Sequence, residues 1–218
     1  MREKKGRSGM AAGAVLCLLS LALCVLYQRA GYGASSTSML ERTPENIAGE
    51  LHQLLQRVGH DRTITLLAHS QGGLYAWKFA KMYPELVDKL ILLDPLSPED
   101  YRFRTELTET EFRKSGADKT AGLRLNLRLT KLHLGWLVQK TMRTAPPFYY
   151  YNGFSDEEAD SILSGLGKPL TYQTALAEYA AAHDRKKLAG LLDRGCGQNP
   201  GLNSRPPKIL CNRQEMTV

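Results

Sequence analysis

The sequence predicts a parallel α/β sheet followed by a series of helices, all behind an apolar N-terminal segment. Three observations carry this expectation. Between Thr43 and Asp94 the chain alternates helix, strand, helix and strand patterns, an order that implies parallel strands joined by right-handed crossovers. Beyond Pro95 the patterns become long, charged and helical. Ahead of both, Met10 to Tyr27 contains no charged side chain.

With 218 residues, 43% hydrophobic and 23% charged, the composition is that of one folded domain rather than a disordered or fibrous chain. At 1.5 Å per helical residue, the apolar run reaches about 27 Å, enough to cross a hydrocarbon core. Arg2, Lys4, Lys5 and Arg7 precede it and Arg29 follows it. This asymmetry predicts a cytoplasmic segment over 1–9, a transmembrane anchor over 10–27 and an extracytoplasmic body. No small-x-small cleavage site follows the run, so an uncleaved anchor is expected rather than a secretory signal.

Thr43 suits an N-cap, Pro44 the first helical position and Gly59 a stop, which predicts a helix with Ile47, Leu51, Leu54, Leu55 and Val58 as its buried stripe. Thr63 to Ala68 reads as a buried strand. A helix from Gly72 to Tyr83 is halted by Pro84, and Lys89 to Leu93 reads as a second strand ending at Asp94-Pro95. Further on, Leu123, Leu125, Leu127 and Leu129 alternate as a strand would. Arg124, Arg128 and Lys131 fall at helical spacing, which predicts a helix with a basic stripe. The net charge of +7 gathers at the N-terminus and between Lys119 and Arg143, where no acid intervenes, so a surface contact is expected there. From Arg194 onward Gly, Pro and Asn crowd the chain, and an irregular tail over 194–218 is expected. Cys17 and Cys24 fall on one face of the apolar helix, while Cys196 and Cys211 allow one disulfide in an oxidising compartment. No CxxC or Cys/His cluster offers a metal site, and no cofactor or nucleic-acid partner is expected.

The segment Ala68-His69-Ser70-Gln71-Gly72-Gly73 lies between a buried strand and a helix. A serine on such a turn occupies a strained backbone conformation, and small residues two before and two after it let strand and helix approach. The helix N-terminus behind Ser70 favours developing negative charge, and the Gln71 N–H is placed to donate to an oxyanion.

Ile64 to Pro95, LLAHSQGGLYAWKFAKMYPELVDKLILLDP with its preceding Ile-Thr, resembles the nucleophile strand, helix and following strand of the α/β-hydrolase superfamily. Tyr27 to Ser35 resembles that family's Y-D-R-x-G-x-G-x-S segment, with Gln28 in place of Asp. The resemblance implies a partial α/β-hydrolase core over 28–95 and a helical cap over 96–193. It also implies strands, a His-Gly oxyanion loop and a late acid and histidine that are not recognisable here, so the chain is expected to be truncated relative to the family at both ends.

By that resemblance Ser70 is the nucleophile, and Asp94, ending the second strand, stands where some members keep their acid. The alternative for Asp94 is a turn-initiating residue before Pro95. His183, beside Asp184, is the downstream candidate for the base, against a solvated helix residue. His69 belongs to the turn itself and faces away from the nucleophile in the family. His52, His60 and His133 fall on a helix, in a turn and among leucines. Phe148, Tyr149, Tyr150, Tyr151 and Phe154 would line an apolar acyl pocket or simply pack.

Two readings follow. One is a membrane-anchored serine hydrolase, esterase- or lipase-like, acting on small carboxylic esters or lipid-like acyl substrates. The other is a catalytically impaired family member that persists as a membrane-tethered module or a non-functional fragment, since two or three parallel strands bury little surface.

Overall fold

In the computed structural model, residues 26–116, 118–145, 155–192 and 208–212 are described. The expected anchor up to residue 25, the aromatic cluster between Phe148 and Phe154, and Cys17, Cys24 and Cys196 lie outside them. Among the described residues no helix is long and apolar enough to cross a membrane.

Helix α1 spans Pro44–Arg57, and its ends form for the reasons its sequence suggests. Thr43 is extended, and its side chain accepts the Asn46 N–H at 3.2 Å. At the other end Gly59 adopts φ +69°, its N–H donates to Gln56 O, and the His60 N–H donates to Leu55 O. These are the paired bonds of a Schellman motif, which need a residue tolerant of left-handed φ. Ile47 and Ala48 form the buried centre of the stripe, whereas Val58, expected inside, is 66% exposed because the helix has already ended.

Strand β1 spans Ile64–Ser70, helix α2 Gly72–Met82, and β2 Val87–Pro95. β1 and β2 pair in parallel, Leu66 opposite Leu90 and Ala68 opposite Leu92. Leu66, Ala68, Leu90 and Leu92 pack with Phe79, Ala76 and Ala48 into one core, so α1 and α2 cover the same face of the sheet. On the opposite face Leu67 and Leu93 are exposed.

The tail departs from expectation. Strand β3, Lys208–Asn212, lies inside it and pairs in parallel with β2, Ile209 opposite Leu90, giving the order β1-β2-β3. The short apolar pair Ile209-Leu210 is too brief to signal a strand by itself. Pairing to β2 supplies the missing stabilisation.

After β2 the chain is helical, with α3 Tyr101–Glu106, α4 Glu109–Lys114, α5 Thr120–Lys131, α6 Gly135–Arg143, α7 Asp156–Leu166, α8 Pro169–Ala182 and α9 Arg185–Leu192. The ambiguous leucine run is helical, in α5. Thr108 with Glu111, and Ser155 with Glu158, form capping boxes that start α4 and α7. Leu188 and Leu191 of α9 join Ile47, Leu74, Tyr75 and Ala182 in a second buried cluster, which fastens α8 and α9 to α1 and α2.

Candidate active site

The turn after β1 has the geometry that its sequence calls for. Ser70 has φ +51°, a left-handed conformation that costs a non-glycine residue about 1–2 kcal/mol, and α2 begins two residues later. Opposite it, Asp94 has φ +40°. His69 pairs with Leu93 but Ser70 pairs with Pro95, so Asp94 is an extra residue, a bulge beside the serine. The Leu96 N–H donates to Ser70 O at 3.0 Å and closes the arrangement.

Close packing here falls on a glycine next to the expected one. A Cβ on Gly72 would touch only Ala68 Cβ at 3.9 Å, an ordinary contact. A Cβ on Gly73 would meet Pro95 Cβ at 2.6 Å and Pro95 Cα at 3.3 Å. Gly73→Ala is therefore expected to cost about 1–3 kcal/mol as α2 is pushed off β2, whereas Gly72→Ala is neutral or slightly stabilising. Urea denaturation of the two variants checks this ordering. Equal midpoints would contradict it.

Ser70 and His69 are exposed, and among the described residues nothing hydrogen-bonds the Ser70 side chain. His183 caps the C-terminus of α8, where its Nδ1 lies 2.8 Å from Tyr179 O and its ring stacks on Tyr179 at 4.1 Å. The structure thus brings Ser70 and Asp94 together at one end of two paired strands and engages His183 elsewhere. His52 stacks on Tyr83 at 3.9 Å, His60 is exposed just past the end of α1, and His133 is exposed in the turn after α5.

A buried polar cluster beside the turn is the feature that sequence reasoning missed. Glu178 of α8 is 2% exposed. Its Oε2 accepts from Arg29 Nη2 at 2.8 Å, Tyr32 Oη at 3.0 Å and Tyr75 Oη at 3.2 Å, and its Oε1 from Arg42 Nη2 at 3.2 Å. Arg42 also makes a bidentate pair with Glu50 at 2.7 and 2.8 Å. Two guanidinium groups against two carboxylates leave the cluster neutral, the condition under which charges tolerate burial. Burial is the largest single influence on Arg29 and opposes its charge, but the hydrogen bond and the charge of Glu178, with Tyr75 and Tyr32, together outweigh it and raise the guanidinium pKa. Burial, then the Glu178 charge, pushes the Tyr75 and Tyr32 hydroxyls well above the usual phenol range. The signal was available, because Glu178 is the single charged residue in the fourteen of α8.

From this cluster a link runs to the turn: Gln71 Nε2 donates to Tyr75 Oη at 2.6 Å. Gln71, the residue that follows Ser70, is in this way tied through Tyr75 to Glu178 of α8. The Tyr27–Ser35 loop is held on the same side. Gln28 Oε1 accepts the Ala34 N–H at 2.8 Å and Ser35 Oγ donates to Gln28 O at 2.7 Å, so the amide closes the loop where the family's Asp stands. Gly31, at φ +89°, lies against Thr174 of α8 too closely to admit a side chain.

Comparison with known proteins agrees with this geometry. A model of the alpha/beta hydrolase fold matches residues 18–185, starting inside the apolar run. A stretch of 94 residues is 35% identical to Epoxide hydrolase 1 of Caenorhabditis elegans, covering 42% of this chain and 23% of that protein. A Pseudomonas aeruginosa structure provisionally described as an epoxide hydrolase superposes with a TM-score of 0.60 at 16% identity, covering 88% of this chain and 62% of the other. One of the epoxide hydrolases found in metagenomes from hot environments gives 0.53 at 22% identity, covering 84% and 62%. The chain therefore spans less than two thirds of the length of each of these three relatives.

Proposed function

Because this chain belongs to the α/β-hydrolase fold family, we propose that it acts as a serine hydrolase on small carboxylic esters or related acyl compounds, with Ser70 as nucleophile. The observation that carries the reading is Ser70 at φ +51° between β1 and the N-terminus of α2. In the proposed first step Ser70 Oγ attacks the acyl carbon, and the Gln71 N–H donates to the oxygen that becomes negative. The alcohol leaves, and water then opens the acyl-enzyme. Asp94, bulged beside Ser70, is the proposed acid.

Chemistry separates this from epoxide opening, the activity named for the relatives. A serine oxygen attacking an epoxide carbon forms an ether, and water has no comparable route to release it. Attack on an ester forms another ester, which hydrolysis reverses. A serine at this turn supports acyl rather than epoxide turnover.

The test is covalent labelling with a fluorophosphonate, which reports the nucleophile without requiring full turnover. The expected result is modification of Ser70 in the wild type and none in Ser70→Ala. Undiminished labelling of the alanine variant would remove Ser70 from its role.

A further inference from the structure

The basic stripe foreseen in the sequence takes no part in the site above, and the fold gives it neighbours that define its use. Helices α5 and α6 meet at a tight corner, where Leu132 ends α5 and His133 turns the chain at φ +61°. Leu132 is 68% exposed, Trp136 59% and Leu125 57%, an unusual concentration of large apolar side chains in water. Arg124, Arg128 and Lys131 lie along α5 beside Leu125 and Leu132, and Lys140 lies one turn beyond Trp136 on α6.

All four bases are exposed, and none pairs with an acid among the described residues. The neighbouring Arg143, by contrast, is taken up by Asp156 and Asp160 of α7. No acidic residue lies between Lys119 and Arg143. Exposed leucines and a tryptophan flanked by unpaired bases, with no acid on either α5 or α6 and with Asp156 and Asp160 of α7 drawn to Arg143, complement a surface that is negative outside and apolar just beneath.

We propose that the α5–α6 corner is a docking surface for anionic phospholipid membranes, with Leu132 and Trp136 entering the headgroup boundary and Arg124, Arg128, Lys131 and Lys140 facing the phosphates and carboxylates. The surface is independent of Ser70. Anionic lipid is a property of cytoplasmic leaflets, so this contact sets the body of the chain on the opposite side of a membrane from the orientation that Arg2 to Arg7 suggest.

The full chain carrying Trp77→Phe, which leaves Trp136 as the sole tryptophan, is mixed with vesicles of phosphatidylcholine alone or with a third phosphatidylserine. Both sets contain brominated chains that quench indole at membrane depth. The expected result is quenching of Trp136 that requires phosphatidylserine and weakens at high salt. Neutralising Arg124, Arg128 and Lys131 together to glutamine should weaken this component about 100-fold, at roughly fivefold per base. The apolar N-terminal run binds either vesicle type and Arg2, Lys4, Lys5 and Arg7 add a phosphatidylserine-dependent part of their own, so the share of the corner is the part lost when Arg124, Arg128 and Lys131 are neutralised. Cosedimentation of the chain with native Trp77, with and without Leu132→Ser, is the second measurement, and the serine variant should lose the phosphatidylserine-dependent fraction. Trp136 left unquenched, or quenched equally without phosphatidylserine, overturns the proposal. So does a concentration-dependent dimer that shields Trp136 without lipid, since the corner would then be an interface between copies of the chain.

Discussion

Replacing Glu178 with alanine is expected to destabilise the fold by about 3–5 kcal/mol, because it leaves two guanidinium groups and two phenols around a charge that has gone. Arg42 is the worst placed of them, with its side chain 7% exposed and its Nε already without a hydrogen-bond partner among the described residues. A domain of ordinary stability, about 5–15 kcal/mol, would then stand close to its threshold. Equilibrium urea denaturation, with circular dichroism as readout, measures the loss. Glu178→Gln keeps the shape and one acceptor, so it should fall between wild type and alanine. An alanine variant with an unshifted midpoint would mean that water reaches the cluster and the bonds contribute little.

The same cluster gives stability a dependence on alkali. Unfolded, Tyr32 and Tyr75 lose their protons near the ordinary phenol value of 10.0. Folded, burial and then the Glu178 charge hold both well above it. A raised folded pKa means that the protonated hydroxyls contribute fully below about pH 10, and that the contribution is lost as pH climbs past it. Melting temperature should therefore be insensitive to these groups near neutrality and fall above about pH 10. In Tyr75→Phe, which has one such phenol fewer, the fall should be shallower.

Hydrolysis of p-nitrophenyl butyrate is expected to be slow, to vanish in Ser70→Ala and to be unchanged in His183→Ala. With no side chain bonded to Ser70 among the described residues, its hydroxyl lacks the partner that would take its proton. In serine hydrolases whose oxyanion donors and binding site survive, loss of the triad still leaves about 10³–10⁴-fold acceleration over water. Loss of one oxyanion donor removes a further ~10²–10³. His183 is engaged by Tyr179 through both a ring nitrogen and its face, which is the ground for expecting no effect there. Rapid turnover that falls more than tenfold in His183→Ala would instead make that histidine the base.

The sequence by itself determined the elements whose causes are local. Thr43, Pro44 and Gly59 bound α1 because a cap, a fixed φ and a left-handed stop each act within one turn of helix. The strand, turn and helix around Ser70 were legible for the same reason, since periodicity and small residues act over a few positions. Only the tertiary structure decided the rest. It made Gly73, not Gly72, the close contact, because Pro95 arrives from a different strand. It turned Lys208–Asn212 into β3, because a strand of five residues forms only when another supplies its hydrogen bonds. It made Glu178 a buried hub by bringing it to Arg29, Arg42 and Tyr75, which lie 149, 136 and 103 residues away along the chain. The lone charge of α8 marks Glu178 as unusual, but no local pattern names its partners, because those contacts form only when chain folding brings together groups that share a charge balance and exclude water.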